Sequence, residues 1–241
     1  MQQVSVIVPA AGSSQRFGDK ESKIYQRIGG QPVFIRTLEA FTSRQDVCQV
    51  LLVVSAADID QVKERFGANL GFMGVSLVEG GPTRSASVRN ALARVSDQAE
   101  LVCVHDAVRP CIAQEWVDAV FAEAAKTGAA ILAYPVHGTL KAIAIDGIVE
   151  RTLPRTVVWE AQTPQVFRKD ILIQAYAAGT EATDDAALVE AAGHPVRVVM
   201  GDPRNIKITT LKDLAVAAAF IQTLPKPKPA SPSHPFQEAQ W

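Results

Sequence analysis

Short apolar runs alternate along this chain with segments of helical period. The runs Val4–Val8, Val50–Val54 and Leu101–Val104 are almost entirely apolar, whereas Val33–Phe41 and Glu115–Ala125 repeat their apolar residues at helical spacing. Continuously apolar strands separated by helices are typical of a mainly parallel sheet with helices on both faces. The sequence therefore predicts an α/β protein with a Rossmann-like sheet.

The same periodicities predict the remaining strands and helices. Further strands are expected at Val75–Val78, Ala129–Val136, Val196–Val199 and Ile206–Ile208. Further helices are expected at Asp58–Phe66, Thr83–Val95, Lys169–Ala178, Asp184–Ala192 and Leu211–Leu224. Together these elements are predicted to form one domain over residues 1–224.

One stretch interrupts this alternation. Between Thr139 and Leu153 the helical period disappears, and Asp146-Gly147 stands between two alternating runs, which is a strong signal for a hairpin turn. We therefore predict a β-hairpin arm, about residues 137–156, that projects from the sheet. An isolated hairpin is only marginally stable in water, so the arm is expected to pack on another surface, such as a second subunit.

Composition disfavours several classes of protein. The formal net charge over 241 residues is −1, which does not favour nucleic acid or an anionic membrane as a partner. No apolar run approaches a membrane span and no signal peptide is recognisable, so a cytoplasmic protein is expected. The three cysteines follow no metal-ligand spacing and are expected to be reduced core residues.

Five prolines within residues 225–241 predict a disordered tail.

The loop after the first strand has the composition of a phosphate-binding turn. Its small residues Ala10, Ala11 and Gly12 would let backbone N–H groups approach a phosphate, and Arg16 and Lys23 would add positive charge. The loop matches neither the dinucleotide-binding fingerprint nor the P-loop motif. Taken alone, it is equally compatible with an ordinary strand–helix connection.

An acidic residue, Asp106, lies just beyond the strand Leu101–Val104. At the carboxyl edge of the sheet it would be placed to hold Mg²⁺, which prefers one or two carboxylates together with phosphate oxygens. The alternative is that Asp106 caps a helix or pairs with Arg109.

Two further segments place polar groups after predicted strands. Gly80–Ser87 offers backbone groups and hydroxyls for recognition of a base; the alternative is an ordinary helix start with Thr83 as its N-cap. Asn205–Thr209 contains Lys207, a cation in an otherwise apolar predicted strand. It would serve a site only if it pointed there rather than to solvent.

In order and spacing, these motifs resemble those of the 2-C-methyl-D-erythritol 4-phosphate cytidylyltransferases, enzymes of the non-mevalonate isoprenoid pathway. The resemblance covers about residues 3–223. Its first motif is shared with many sugar-nucleotidyl transferases, whereas the element His105-Asp106-Ala107 with Arg109-Pro110, taken together with the arm and Asn205-Ile206-Lys207, is much more specific. The matching elements are Ala10-Ala11-Gly12 with Arg16 and Lys23, Gly80-Gly81 with Arg84 and Ser87, His105-Asp106-Ala107 with Arg109-Pro110, Thr163-Pro164-Gln165, Thr183-Asp184-Asp185 and Asn205-Ile206-Lys207.

The resemblance implies a role for each matching residue. The catalytic cations would be Arg16, Lys23 and Lys207, and Asp106 would hold Mg²⁺. CTP would bind at Ala10, Ala11, Gly12, Gly81, Ser87, Asp106 and Ala107. The acceptor, 2-C-methyl-D-erythritol 4-phosphate, would bind at Arg109, Thr139, Arg155 and Thr163. The resemblance also implies a homodimer in which the arm of each chain reaches the site of the other.

The implied reaction is in-line attack of the acceptor phosphate on the α-phosphorus of CTP. That phosphate is already anionic near neutral pH, because its second pKa is about 6. Cations, rather than a general base, are therefore what the reaction needs. Two alternatives stay open: a cytidylyltransferase for another polyol phosphate such as ribitol phosphate, and a catalytically silent nucleotide-binding regulator.

Three residues, Ser14, Phe17 and Gly138, depart from those that the family often has at these positions.

Overall fold

The computed structural model describes residues 2–11, 23–179 and 181–226, with only the backbone of Lys23. Its strands are β1 Val4–Pro9, β2 Arg27–Ile28, β3 Gln31–Pro32, β4 Val47–Val54, β5 Val75–Glu79, β6 Leu101–Val104, β7 Ala129–Pro135, β8 Lys141–Ile143, β9 Val149–Thr152, β10 Trp159–Arg168 and β11 Arg197–Met200. Its α-helices are α1 Val33–Thr42, α2 Ile59–Phe72, α3 Arg84–Leu92, α4 Gln114–Thr127, α5 Lys169–Ala177, α6 Asp185–Ala191 and α7 Leu211–Gln222.

A seven-stranded sheet organises the described chain, in the order β11-β7-β10-β6-β1-β4-β5. Neighbouring strands are parallel except around β10, which runs antiparallel to both β6 and β7. The predicted α/β class with a mainly parallel sheet is confirmed. Because parallel strands end at the same edge, the loops after β1, β5 and β6 are brought together there.

Helices cover both faces of the sheet, as the continuous apolar runs predict. In β1, Val6 and Val8 belong to a core shared with α1, α2, α4 and α7, whereas Ile7 faces a second core shared with α3, α5 and α6. Phe34 and Phe41 of α1 are completely buried in the first core. Burial of one such side chain stabilises the fold by roughly 1.5–3 kcal/mol, so the sheet is held firmly from both sides.

The sequence does not predict strand β10, although it lies near the centre of the sheet. Its middle, Gln162-Thr163-Pro164-Gln165, is polar and contains a proline, a composition that argues against a central strand. The pairing with β7 is irregular between Ala161 and Gln165, which accommodates the proline. The polar side chains Gln162, Thr163 and Gln165 are buried, and they belong to the site described below.

The predicted strand Ile206–Ile208 is wrong. This segment is not part of the sheet; the N–H of Ile208 donates to the carbonyl of Val108 at 2.9 Å, and the Ile208 side chain is completely buried. Apolar residues that resembled a strand thus anchor a loop across the carboxyl edge. The other predicted helices and strands are present with shifted ends; α2, for example, continues beyond the predicted Phe66 to Phe72.

The predicted arm is present as the hairpin β8–β9, which pairs with no other strand in the described part of the chain. Gly147 has a φ of +87°, a conformation that glycine adopts without strain, so the turn at Asp146-Gly147 is confirmed. Ile145 and Ile148 beside this turn are exposed. A single chain therefore presents apolar arm residues to solvent.

The described residues bear on two expectations drawn from composition. Cys103 and Cys111 are buried, as predicted for core residues, whereas Cys48 is only half-buried, and none of the three takes part in a disulfide in the structure. Among the helices of the described ranges, none combines the length and the apolarity that crossing a membrane requires. Residues 227–241, most of the proline-rich tail, lie outside the described residues.

Candidate active site

The loops after β1, β5 and β6 meet at the carboxyl edge of the sheet. Gly80, after β5, lies against the loop after β1, because a Cβ placed on it would be 2.8 Å from the Cβ of Ala11. Ala107, after β6, donates its N–H to the carbonyl of Pro9 at 3.3 Å. Three of the sequence motifs thus form one continuous surface.

Asp106 lies at the centre of this surface and is surrounded by cations. Its Oδ2 is 2.8 Å from the Nζ of Lys207 and 3.6 Å from the Nε of Arg109, and its Oδ1 is 3.5 Å from the Nε of Arg84. Burial alone would raise the pKa of Asp106, but the charges of Arg84, Lys207 and Arg109 outweigh it and hold the pKa well below its usual range. Asp106 is therefore a permanent anion. The pairing with Arg109 that the structural alternative proposes is present, but it is one contact of three.

A chain of hydrogen bonds fixes the backbone around Asp106. The Asp106 N–H donates to Thr163 Oγ1 at 3.1 Å, and this hydroxyl is 3.1 Å from His105 Nδ1. His105 Nε2 lies 3.1 Å from the carbonyl of Arg109, which can only accept, so Nε2 carries the proton and Nδ1 accepts from Thr163. Burial lowers the pKa of His105 to about 4, so the ring is neutral at physiological pH. His105 therefore holds the loop as a neutral hydrogen-bonding residue.

Asn205 clamps the loop that carries Lys207 onto β10. The side-chain Nδ2 of Asn205 donates to the backbone carbonyl of Thr163 at 2.8 Å. The backbone carbonyl of Asn205 accepts from Arg109 Nη1 at 2.7 Å. Gln162 Nε2 adds a bond to the carbonyl of Asp202 at 2.8 Å. Asn205 is completely buried, so the Asn-Ile-Lys motif combines one structural residue with one site residue.

Arg84 connects the central carboxylate to a second, fully buried one. Its Nη2 is 2.7 Å from Asp185 Oδ2, and the Tyr176 hydroxyl donates to the other oxygen of Asp185. Gln165 Oε1 accepts from the N–H of Asp185 at 3.0 Å, while Gln165 Nε2 donates to Asp184 at 2.9 Å. This network joins α3, α5, α6 and β10 behind the site.

The loop after β5 is held by its own hydroxyl groups. Ser87 Oγ accepts from the Gly81 N–H at 3.1 Å and donates to the carbonyl of Thr83 at 2.9 Å. Thr83 caps α3 by accepting from the Ala86 N–H, as the structural alternative predicts. A Cβ on Gly81 would lie 2.5 Å from the Cβ of Ala86, so only glycine fits there. The Ser87 hydroxyl is therefore engaged within the loop.

The predicted phosphate loop is described only in part. Ala10 uses its N–H for the carbonyl of Val53 at 2.7 Å, so this group is bound within the sheet. Gly12, Arg16 and the side chain of Lys23 lie outside the described residues.

A cleft of about 230 Å³ opens above these groups. It is lined by Arg84, Asp106, Arg109, Ala161, Gln162, Thr163, Gln165, Thr183, Asp184 and Lys207. Thr139 and Arg155 do not line it: both are exposed, and Arg155 Nη1 donates to the carbonyl of His137 at the base of the arm. One chain thus gathers Asp106, Arg109, Thr163 and Lys207 but not the two predicted arm residues.

The chemistry of the cleft fits a divalent cation bound chiefly by phosphate. Within the described ranges there is no group of three or more His, Cys, Asp or Glu side chains that could hold a metal on its own. Asp106 supplies a single, permanently ionised carboxylate, and the contact of its Oδ1 with Arg84 is long at 3.5 Å. Mg²⁺ commonly uses one or two carboxylates and takes its other ligands from substrate phosphates and water, so a single carboxylate is compatible with such an ion.

Comparison with known proteins shows to which family the chain belongs. The model of the family described as IspD: 2-C-methyl-D-erythritol 4-phosphate cytidylyltransferase matches residues 4–223. The chain belongs to this family. The resemblance seen in the sequence motifs is therefore confirmed, and with it the expectation of a nucleotidyltransferase.

Individual relatives agree over nearly the whole chain. The 2-C-methyl-D-erythritol 4-phosphate cytidylyltransferase of Rhodopirellula baltica is 45% identical over 231 residues, which cover 90% of this chain and 94% of the relative. That of Symbiobacterium thermophilum is 39% identical, with 91% and 93% covered. The crystal structure of the cytidylyltransferase from Thermus thermophilus matches with a TM-score of 0.76 at 35% identity, covering 92% of this chain and 100% of that one.

Sequence reasoning leaves three side chains of the site without a role. Asp185, Gln165 and Arg84 occur within the matching motifs, but the roles inferred from the sequence do not include them. The only signal for them in the sequence is their place within the matching motifs, because the hydrophobic pattern does not predict that β10 is buried and a buried polar side chain requires a partner. The Tyr176 hydroxyl has no comparable signal, because its helix α5 reads as an ordinary amphipathic one.

Proposed function

We propose that this chain transfers the cytidylyl group of CTP to 2-C-methyl-D-erythritol 4-phosphate, giving 4-diphosphocytidyl-2-C-methyl-D-erythritol and pyrophosphate in isoprenoid precursor synthesis. The observation that carries the proposal is the set of three cations, Arg84, Arg109 and Lys207, around Asp106 in a cleft built from the family motifs. Such a site suits two anionic substrates that must react with each other.

The cations address the main barrier of the reaction. An anionic phosphate must approach an anionic triphosphate, and charge develops on the α-phosphate and on the leaving pyrophosphate. Lys207, whose side chain is 40% exposed, reaches into the cleft and is the described member of the predicted catalytic set, with Arg16 and Lys23 as the others. The histidine in the motif is buried and neutral, which agrees with a reaction that needs no general base.

Asp106 would hold Mg²⁺ against the phosphates of CTP. When bound, the ion supplies charge neutralisation and orients the triphosphate. The nucleotide is assigned to Ala10, Ala11, Gly81, Ser87 and Ala107, together with Gly12, which lies outside the described residues. Because the Ser87 hydroxyl is engaged within the loop, its part is to shape the binding surface.

The acceptor is assigned to Arg109 and Thr163 of one subunit and to Thr139 and Arg155 of its partner. Two observations support this division: the first pair lines the cleft, and the second pair is exposed at the base of an arm that pairs with no other strand in the described ranges. A closed two-fold dimer with exchanged arms would complete both sites at once.

A pyrophosphate-release assay tests the reaction. Each of the four ribonucleoside triphosphates is combined with methylerythritol phosphate and, separately, with ribitol phosphate. We expect release only with CTP and methylerythritol phosphate in the presence of Mg²⁺, and loss of most of it in Asp106→Asn.

The assay also separates the remaining readings. Turnover with ribitol phosphate would identify a cytidylyltransferase for another polyol. CTP binding without turnover on either acceptor would mean a silent nucleotide-binding protein. An Asp106→Asn enzyme with an unchanged Mg²⁺ titration curve would remove the metal from that residue.

A further inference from the structure

Asp185 is a completely buried carboxylate that lies behind the cleft and does not line it. One of its oxygens is 2.7 Å from Arg84 Nη2, and the other accepts from the Tyr176 hydroxyl. Burial and the neighbouring charge of Asp185 raise the pKa of Tyr176, so this hydroxyl stays protonated and donates. The orientation of the Asp185 carboxylate is thus fixed from two sides.

Arg84 stands between two carboxylates and contacts one of them, Asp185, much more closely than the other, Asp106. Its contact with Asp185 is 2.7 Å, a normal charge-assisted hydrogen bond, whereas its approach to Asp106 is 3.5 Å. A buried anion that loses its partner is strongly destabilised, which favours the pairing of Arg84 with the more deeply buried Asp185. The guanidinium is therefore restrained at a distance from Asp106.

We propose that Asp185 is a positioning residue that keeps Arg84 from closing on Asp106. A guanidinium released from Asp185 would form the two parallel hydrogen bonds that arginine makes with carboxylates, and would occupy both oxygens of Asp106. With Arg84 restrained, Oδ1 of Asp106 keeps its lone pairs for a divalent cation. This inference rests on the proposed role of Asp106 as the metal ligand.

The test measures the coupling between Mg²⁺ and CTP, without acceptor and hence without turnover. The Kd of CTP is measured by calorimetry with saturating Mg²⁺ and again with a chelator, and the ratio of the two values reports the coupling. Asp185→Asn keeps the size of the side chain but removes its charge. We expect this ratio to fall about tenfold, the usual effect of losing a group that orients a metal ligand.

Two comparisons separate this role from a merely structural one. In an Arg84→Gln background, Asp185→Asn should leave the ratio unchanged, because there is no guanidinium left to restrain. Asp170→Asn is the matched control: it makes the same chemical change at an exposed carboxylate that pairs with Arg168 on the surface. This variant should keep the wild-type ratio.

Four results would overturn the proposed role of Asp185. If the wild-type ratio is one, the metal role proposed for Asp106 fails and takes this inference with it. If wild type shows coupling and folded Asp185→Asn shows the same coupling, Asp185 does not act in this way. A loss that persists in the Arg84→Gln background also overturns the inference. Should Asp185→Asn fail to fold, Tyr176→Phe frees one carboxylate oxygen; a fall of at least about twofold is expected, and an unchanged ratio contradicts the inference.

Discussion

Lys207 owes its direction to the residues on either side of it. Asn205 binds the preceding backbone to β10, and Ile208 is buried and bonded to the loop after β6. Between these anchors the lysine reaches Asp106 at 2.8 Å. A flexible, strongly hydrated cation is thus brought to the site by its neighbours rather than by its own packing.

Removing this lysine should affect the reaction more than the binding of CTP. If Lys207 stabilises charge that develops in the transition state, Lys207→Ala should lower kcat by about 10²–10³ and change the KM for CTP much less. Steady-state kinetics check this, with Lys212→Ala, an exposed lysine at the start of α7, as the matched control. Near-wild-type turnover in Lys207→Ala would show that the lysine does not stabilise the transition state.

The burial of His105 leads to a prediction about how the free energy of unfolding depends on pH. Its folded pKa of about 4 lies below the ordinary value of about 6.5, so between these values the unfolded chain takes up a proton that the folded chain refuses. The free energy of unfolding should therefore fall as the pH drops through this window. His105→Gln should remove about 1.4 kcal/mol per pH unit of that slope.

Denaturant unfolding of both proteins between about pH 4.5 and pH 7 measures this slope. The kcat/KM profile between pH 5 and 8 should keep its shape in His105→Gln, since the ring exchanges no proton in the reaction. Parallel stability curves for the two proteins would contradict the burial argument. A lost basic or acidic limb in the rate profile would instead assign the histidine a catalytic role.

At the residue scale, the sequence predicts the charged residues of the site but not what orients them. Asp106 follows the apolar strand β6, so its approximate location follows from the topology of the sheet. Lys207 is predicted to lie in a strand that the structure does not contain, so its location depends instead on the loop that carries it. The network of Asp185, Tyr176 and Gln165 joins segments that are far apart in sequence. Nothing in local periodicity reports such a contact, which depends on how α5 and α6 pack behind β10.

At the element scale, the strands that could be predicted are those buried on both faces. β1, β4 and β6 are apolar runs that only a covered sheet can accommodate. β10 could not be predicted, because its polar, proline-containing middle is stabilised by side-chain hydrogen bonds of the site instead of by apolar burial. The strand prediction around Lys207 was wrong for the opposite reason: the apolar residues there, the buried Ile208 and the half-buried Ile206, anchor a loop instead of a strand.

The end of α4 shows how one residue terminates an element. Gly128 has a φ of +90°, and an added Cβ would lie 3.0 Å from Cδ1 of Ile171. Gly128→Ala should therefore destabilise the protein by about 1–2 kcal/mol. Gly67→Ala, within α2, meets no atom within 4 Å and should stabilise by about 0.5–1 kcal/mol. Chemical denaturation of the two variants measures the change in the free energy of unfolding for each. Equal changes would contradict the argument that the positive φ of Gly128 requires glycine.

At the scale of the whole molecule, the residues of one described chain do not complete the acceptor site that we propose, because Thr139 and Arg155 do not line the cleft. The arm presents Ile145 and Ile148 to solvent, and Val157 and Trp159 near its base are also exposed. The sequence predicts the hairpin from its turn and its alternation, but it cannot show which surface covers these residues, because that surface belongs to no neighbouring segment. A second copy of the chain is the partner that we propose.

A shared site predicts complementation between two inactive proteins. Lys207→Ala and Arg155→Ala are mixed under conditions in which subunits exchange. If Arg155 serves the partner's site, each mixed dimer contains one site with Lys207 from one chain and Arg155 from the other, and activity should recover to a substantial fraction. Lys207→Ala mixed with Asp106→Asn is the matched control, because both residues lie in the cleft of the same chain and no mixed dimer regains an intact site. Recovery in the first mixture but not in the second would support arm exchange. Activity that stays at the level of the separate variants, despite exchange verified by mass spectrometry, would mean that Arg155 acts within its own chain.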